Sequence, residues 1–441
     1  MWGVLWPIPI AGQTAAGNMA RTFHLIDYVK ISIYGFGLSA LASSFSSIIL
    51  PVKILGCVPE AHKNAYLAGL TSFGLLLALL VQPMAGAISD SSRWRWGRRR
   101  PYILLGTLFA VVFSLMAVLS SSYISVFIGA SLLQIASNIA QGPYQAFIPD
   151  LVPNGRRGTA SGVKSVVEML GILVCSRVVG YLVDCRLIKG GNVWLVMAVG
   201  FLGAVLLAVM LVTVFAVKEH PAAPLPSASL LKGLLSTFKI DVDRRSDFAY
   251  FLPSRLFMVI AASSIQAFMF YFVRDTIGVT NPARYAMDIL VVAGVGTLIA
   301  GLPAGRLSDR VGRKMLIALS GAGGIMALLL LHVAQSYGHL LFAAALAGLS
   351  IGTFMSTNWA LATDLVPQEE AARYLGLTNI ATAGGAILAR LHGPAIDFLN
   401  GRRPGFGYSA LFVVCILYIL VGTGLILGVR TPRDKLVKQP Q

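Results

Sequence analysis

The chain is a succession of long apolar runs broken by turn residues and charges. Twelve runs reach spanning length: about 28–50, 65–89, 101–120, 123–149, 159–184, 193–217, 248–273, 285–305, 314–334, 340–363, 373–397 and 407–429. At about 1.5 Å per residue, each is long enough to cross a hydrocarbon core of roughly 30 Å as a helix. Several exceed the minimum and are expected to tilt or to extend past the bilayer. The stretch 218–247 breaks the pattern. KEHPAAPLPSAS is rich in Pro and Ser, and KGLLSTFKIDVDRRSD is amphipathic and charged. The organisation this predicts is an N-terminal extension and cytoplasmic segment (1–27), a six-helix bundle (28–217), a cytoplasmic linker with a short surface helix (218–247), a second six-helix bundle (248–429) and a cytoplasmic tail (430–441). The predicted fold class is therefore an all-α membrane protein with twelve transmembrane helices in two bundles.

Composition sharpens this. Of 441 residues, 56% are hydrophobic and only 12% charged, with a mean hydropathy of +0.76. Yet Lys and Arg number 35 against 18 Asp and Glu, for a formal charge of +17. A soluble globule would have too apolar a surface, and a disordered chain is excluded for the same reason. A nucleic-acid binder would account for the charge and not for the oil. Topology accounts for both. With the N-terminus inside, 23 cationic residues fall on the N-terminal segment, the even-numbered connections and the tail, against eight on the odd connections. That bias places both termini in the cytoplasm of a plasma or inner membrane, as a multi-pass protein. Lys164, Arg177, Arg255 and Arg390 remain within or at the edges of spans.

The N-terminus has no basic region before its apolar part and does not read as a signal peptide. Met19 opens a more ordinary start, so residues 1–18 read either as natural sequence or as an upstream extension. Cys57 and Cys185 both lie near outer span ends, which allows one disulfide; the alternative is four free thiols, with Cys175 and Cys415.

The two halves repeat. Span 2 ends Gly86-Ala-Ile-Ser-Asp90 and span 8 ends Gly305-Arg-Leu-Ser-Asp309, an offset of 219 residues. Span 4 ends Asp150-Leu-Val-Pro153 and span 10 ends Asp364-Leu-Val-Pro367, an offset of 214. Span 5 carries Arg177-x-x-Gly180-x-x-x-Asp184 and span 11 carries Arg390-x-x-Gly393-x-x-x-Asp397, an offset of 213. Three landmarks in one order argue for a duplicated six-span unit, with a substrate site near mid-membrane between the halves.

Gly-x-x-x-Asp followed by a Gly-Arg-Arg/Lys cluster, after spans 2 and 8, resembles the signature loop of the major facilitator superfamily, and the likeness covers nearly the whole chain. The longer first copy, SDSSRWRWGRRRPYI, with Gln141-Gly-Pro-Tyr-Gln145 and Asp150, resembles the sucrose-transporter-like and glycoside–pentoside–hexuronide symporter branch. The resemblance implies that Asp90 and Asp309 pair with cationic groups and helix ends of the neighbouring bundle and latch the inner side. Gly86 and Gly305 would permit close helix approach. Gly97, Arg98, Arg99, Arg310, Gly312 and Arg313 complete the two loops. The plainer reading is that these charges set topology and anchor in headgroups. The first copy departs from the pattern: Ser91 follows the aspartate, and Arg93 stands in for the usual basic residue.

Span 4 carries Gln134, Asn138, Gln141 and Gln145 at helical spacing on one face. Carboxamides donate and accept, which suits a polyhydroxylated ligand; the alternative is a polar seam between helices. Plant sucrose–proton symporters carry an aspartate and an arginine at the positions matching Gln134 and Gln145, so that coupling pair is missing here. In span 5, Lys164 and Glu168 are one turn apart. A carboxylate deep in a span is a functional hypothesis by default. It binds a coupling proton or sodium ion, or it forms a local ion pair. Arg177 with Asp184, and Arg390 with Asp397, lie two turns apart toward the outer ends and read as an outward latch joining the halves, or as snorkelling anchors. Ser39, Ser43, Ser46, Gln266, Tyr271, Asn358 and Trp359 are weaker lining candidates.

There is no HExxH, no phosphate-binding loop and no histidine pair at ligand spacing, so an enzyme is not expected, nor a cofactor or a metal. The sequence reads as a monomeric carrier in the lipid bilayer that moves a small molecule by alternating access, with proton or sodium as possible coupling ion and no nucleic-acid partner. A sugar or glycoside is the favoured substrate. The alternatives are an exporter of drug-like solutes and a non-transporting receptor or assembly factor.

Overall fold

A computed structural model describes residues 25–90, 92, 94, 96–153, 156–217, 219, 246–334, 336–365 and 371–429. Residues 1–24 of the expected N-terminal segment, nearly all of the linker with its surface helix, Ser91, Arg93 and the C-tail lie outside these residues. Every regular element among the described residues is helical.

Eleven helices among them are long and apolar enough to cross a membrane. In the first half these are α1 (Leu25–Leu55), α2 (Lys63–Asp90), α3 (Arg100–Leu119), α4 (Tyr123–Gln145), α5 (Arg157–Lys189) and α6 (Val193–Ala216). The second half has α7 (Ser246–Phe272), α8 (Pro282–Val311), α9 (Arg313–His332), α10 (Tyr337–Leu365) and α12 (Phe406–Gly428). Between the last two lies α11, which corrects the sequence reading. A single span over 373–397 was expected. The helix Ala371–Arg390 instead stops at Leu391 and His392 and resumes as Gly393–Arg402. Pro394 has no N–H to donate back into the first segment, so the chain restarts with Pro in the first turn.

With lipid as solvent the helices cannot be held by expelling water, so close backbone approach matters. A side chain at Gly171 of α5 would sit 2.1 Å from the Phe36 carbonyl oxygen of α1, and one at Gly348 of α10 would sit 2.1 Å from that of Ala293 in α8. Gly142 of α4 faces the Gln82 carbonyl and the Gly86 amide of α2. At the matching place in the second half, Ser356 of α10 faces Gly305 of α8. A Cβ at Gly86 itself would meet open space. The close approach expected of Gly86 is therefore made by Gly142, with the Gly86 backbone as its partner. Of the two cysteine readings, the four free thiols are what the structure has.

Candidate functional site

Three sets of polar groups stand out against the apolar helices: at the end that the charge bias predicts to be outer, at the opposite end, predicted to be inner, and between them; the two ends are named by that expectation.

At the outer end each half caps a helix of the other. Asp184, near the end of α5, accepts from the Ala283 and Arg284 amides at the start of α8, both at 3.0 Å. Asp397, in the second segment of α11, accepts from the Asn64 and Ala65 amides at the start of α2, at 3.3 and 2.7 Å, and from Asn64 Nδ2 at 2.8 Å. A carboxylate on the free amides of a helix N-terminus satisfies orphan donors and meets the positive end of the helix dipole. The glycines of the repeated motif bring the backbones this close. A Cβ on Gly180 would lie 3.3 Å from Arg284 Cα, and one on Gly393 would lie 2.4 Å from the Asn64 carbonyl oxygen. The arginines of the motif diverge. Arg177 reaches across to Asp288 of α8 at 2.6 Å, whereas Arg390 donates to the Ala386 carbonyl of its own helix. Lys63–Asp275 at 2.6 Å, Arg274–Glu60 at 2.9 Å, and Tyr271 donating to the Pro51 carbonyl add further ties between the halves.

At the inner end each half forms the same node from its own residues. Arg99 is buried beneath the first loop. It pairs with Asp90 and Ser89, donates to the Gly86 carbonyl at 3.2 Å, and places Nε 3.1 Å from Asp150. Arg313 pairs with Asp309 at 2.6 Å, with Ser308, and with Asp364 at 3.0 Å. Gly97 and Gly312 both turn into these nodes at positive φ, 112° and 109°. The expectation that Asp90 and Asp309 reach the neighbouring bundle is thus corrected: both pair with an arginine of their own half. Arg98 adds a second cation to Asp150 at 2.8 Å, and Arg310 lies exposed on the last turn of α8. One feature has no described counterpart in the second half. Glu219, just past α6, accepts from the Arg99 and Arg100 amides at 3.0 Å each, at the start of α3.

Between the ends the polar residues are sparser. Lys164 and Glu168 of α5 form an ion pair of 3.7 Å, 19% and 30% exposed, with the ammonium 4.9 Å from the centre of the Tyr144 ring. Tyr144 in turn donates to the Ser32 carbonyl of α1. The carboxamide stripe of α4 runs along α2. Gln134 packs near Gly74, Gln145 accepts from Gln82 at 2.9 Å, and Asn138 is buried and donates back to the Gln134 carbonyl. Gln141 is half-buried. Of the weaker candidates, Ser46 bonds to its own helix and Gln266 is exposed. A second cluster went unrecognised in the sequence. Arg255 of α7 is buried and donates to Asn358 of α10 and to Thr382 of α11. Its one sequence signal was a cation inside a span.

The sequence profile of the Major Facilitator Superfamily matches residues 32–389 and 256–441. The chain is 24% identical over 384 residues to the MFS transporter asaE of Aspergillus flavus, covering 84% of this chain and 80% of that one. It is 22% identical over 409 residues to the multi-drug resistance efflux pump PmrA of Streptococcus pneumoniae, covering 89% and 93%. Among solved structures, the nucleoside transporter NupG aligns with a TM-score of 0.67 at 13% identity, over 94% of this chain and 99% of that one. A bacterial homologue of the human lysosomal transporter Spinster aligns with a TM-score of 0.63 at 14% identity, over 94% and 96%. The duplicated nodes, the crossed helix caps and the profile match over most of the chain agree, and this chain belongs to the major facilitator superfamily of membrane transporters.

Proposed function

We propose that the protein is an alternating-access carrier of small organic solutes, with an inward-open arrangement here and both termini in the cytoplasm. The observation that carries this reading is the contrast between the two ends. The outer ends of the halves are tied by crossed caps at Asp184 and Asp397, while the inner nodes at Arg99 and Arg313 are closed within each half. Contacts that break and re-form at opposite ends are what rocking of two rigid bundles needs. Gly86, Asp90, Gly97, Arg98, Arg99, Gly305, Asp309, Arg310, Gly312 and Arg313 act as the inner gate; Arg177, Asp184 and Asp397 act as the outer gate.

The substrate of this reading is a sugar or glycoside, held by Gln141, Gln145 and the neighbouring amides, with Glu168 as the cation-coupling carboxylate beside Lys164. Counterflow of a radiolabelled panel in proteoliposomes, with and without proton and sodium gradients, tests it. Gradient-driven uptake that survives Glu168→Gln sinks the coupling role. Export of drug-like amphipathic solutes is the second reading, favoured by the exposed Trp359 and Met355 rings and chains on α10 and by the likeness to PmrA. Efflux of a lipophilic dye with no sugar counterflow would select it.

A further inference from the structure

The second half holds a buried cation with no anion. Arg255 is 2% exposed and lies nine residues into α7, roughly 14 Å from its inner end. Among the described residues no carboxylate pairs with it. Its guanidinium is held instead by neutral groups. Nε donates to Thr382 Oγ1 at 2.9 Å, and Nη1 donates to Asn358 Oδ1. Each neighbour meets the fork with a single oxygen. Thr382 uses its own hydroxyl hydrogen on the Thr378 carbonyl, and Asn358 is fully buried with Nδ2 lacking any partner.

The cluster is thus rich in donors and short of acceptors. A guanidinium carries five N–H groups in a planar fork, and two nitrogens are occupied here. The buried, unpartnered Asn358 Nδ2 of α10 stands on the residue that Arg255 of α7 touches, so donors of two helices meet here. Leaving a buried charge and a buried amide unpaired is costly, which marks the place as one that gains when an anion arrives. The ring of Trp359 stands beside it, centred 5.8 Å from Arg255 Cζ and 41% exposed. The indole puts a flat, part-exposed aromatic face next to the guanidinium.

We propose that Arg255, Asn358 and Trp359 form an anion subsite in the second half, and that the transported solute is an organic carboxylate with a flat body. The carboxylate would take the remaining guanidinium N–H and Asn358 Nδ2, and the body would lie on Trp359. Thr382 orients the fork. The first half, by contrast, holds a balanced pair, Lys164 with Glu168. This rests on the carrier reading above for the word "transported" and puts an organic carboxylate in place of its neutral sugar.

The test uses the full-length protein in lipid nanodiscs, with binding read by thermal stabilisation and by titration. The probes are sodium benzoate, sodium D-glucuronate, D-glucose and sodium chloride. The expected result is stabilisation by benzoate, less by glucuronate, and none by glucose. Arg255→Lys keeps the charge and loses the fork, and should weaken benzoate by at least about tenfold. Asn358→Asp supplies an internal carboxylate. It should raise the thermal midpoint of the free protein and abolish the benzoate response, which separates lost binding from misfolding. No response to either carboxylate overturns the proposal, as does an equal response in all three proteins. A response to chloride equal to that of benzoate overturns the organic-carboxylate assignment. Benzoate binding that depends on Arg255, without counterflow of any solute, would leave the subsite standing and remove the transport reading. Counterflow of glucose unaffected by Arg255→Lys, with no carboxylate binding, would do the reverse.

Discussion

The two halves are copies at their ends and strangers in the middle. Ser89, Asp90, Arg99 and Asp150 repeat as Ser308, Asp309, Arg313 and Asp364, and Gly180 with Asp184 repeats as Gly393 with Asp397. At mid-depth the first half has Lys164 and Glu168 against Tyr144, while the second has Arg255 against Asn358 and Thr382. Asn358 occupies the position of Tyr144 at the 214-residue offset set by Asp150 and Asp364. The inner nodes within each half and the caps between the halves are matched, as the proposed rocking would require of the two ends. The mid-depth groups differ between the halves, as the proposed solute contacts would, since a solute is not two-fold symmetric.

The sharpest way to break the symmetry of the inner nodes is to remove their arginines one at a time. Arg99 is buried with four partners, while Asp90 is 37% exposed and Asp150 keeps Arg98; Arg99→Ala should destabilise by about 2 kcal/mol, mostly through the lost buried hydrogen bonds. Arg313 is 19% exposed and its acids are more exposed still, so Arg313→Ala should cost only about 1 kcal/mol. Thermal unfolding of the two purified variants compares them directly. Equal losses would mean that burial does not rank the nodes.

The outer caps should behave as equals. Asp184→Asn and Asp397→Asn each weaken one carboxylate on two helix amides, at about 1 kcal/mol apiece, or roughly a fivefold shift toward outward opening. Spin-label distances across the outer ends read this shift. The double variant should shift further than either single one. If one aspartate carries the whole effect, the latch is one-sided despite its symmetric geometry.

How much of this was legible in the sequence follows from range. Span positions emerged because apolar length is a local property; the break in α11 did not, although Gly393-Pro394 signalled it. Lys164 with Glu168 was visible because an i, i+4 pair lies within one helix. Arg255 was seen only as a stray charge, since Asn358 and Thr382 reach it from two other helices. The loop register also misleads. Aligning Gly97 with Gly312 sets Arg98 against Arg313, yet Arg99 takes the equivalent contacts, because the longer first loop carries one more residue between glycine and node. The crossed caps joined residues 99 and 333 positions apart, which a repeat can suggest but not place.

The two loop glycines offer a finer comparison. Both sit at φ near 110°, where an L side chain is strained. Gly312→Ala should cost about 1 kcal/mol from the backbone alone. Gly97→Ala adds a clash, since its Cβ would lie 2.8 Å from Glu219 Cδ. It should therefore lower the thermal midpoint more than its twin, and the excess should vanish when Glu219 is also replaced by alanine.

The smallest expected effect isolates Glu219 itself. Its carboxylate accepts from the first two amides of α3, the position where a helix is most in need of an acceptor. Glu219→Gln keeps one acceptor oxygen and loses the charge facing the helix dipole, so a loss of about 0.5 kcal/mol is expected. Glu219→Ala removes both acceptors and should lose about 1 kcal/mol. Because Glu219 begins the linker between the halves, the tie also couples the linker to the inner node of the first half. Transport should then slow or speed in the Ala variant by more than its stability loss predicts, while Gln stays near wild type. A change in the thermal midpoint with unchanged transport in both variants would reduce Glu219 to a helix cap, and would leave the inner nodes as symmetric in operation as they are in geometry.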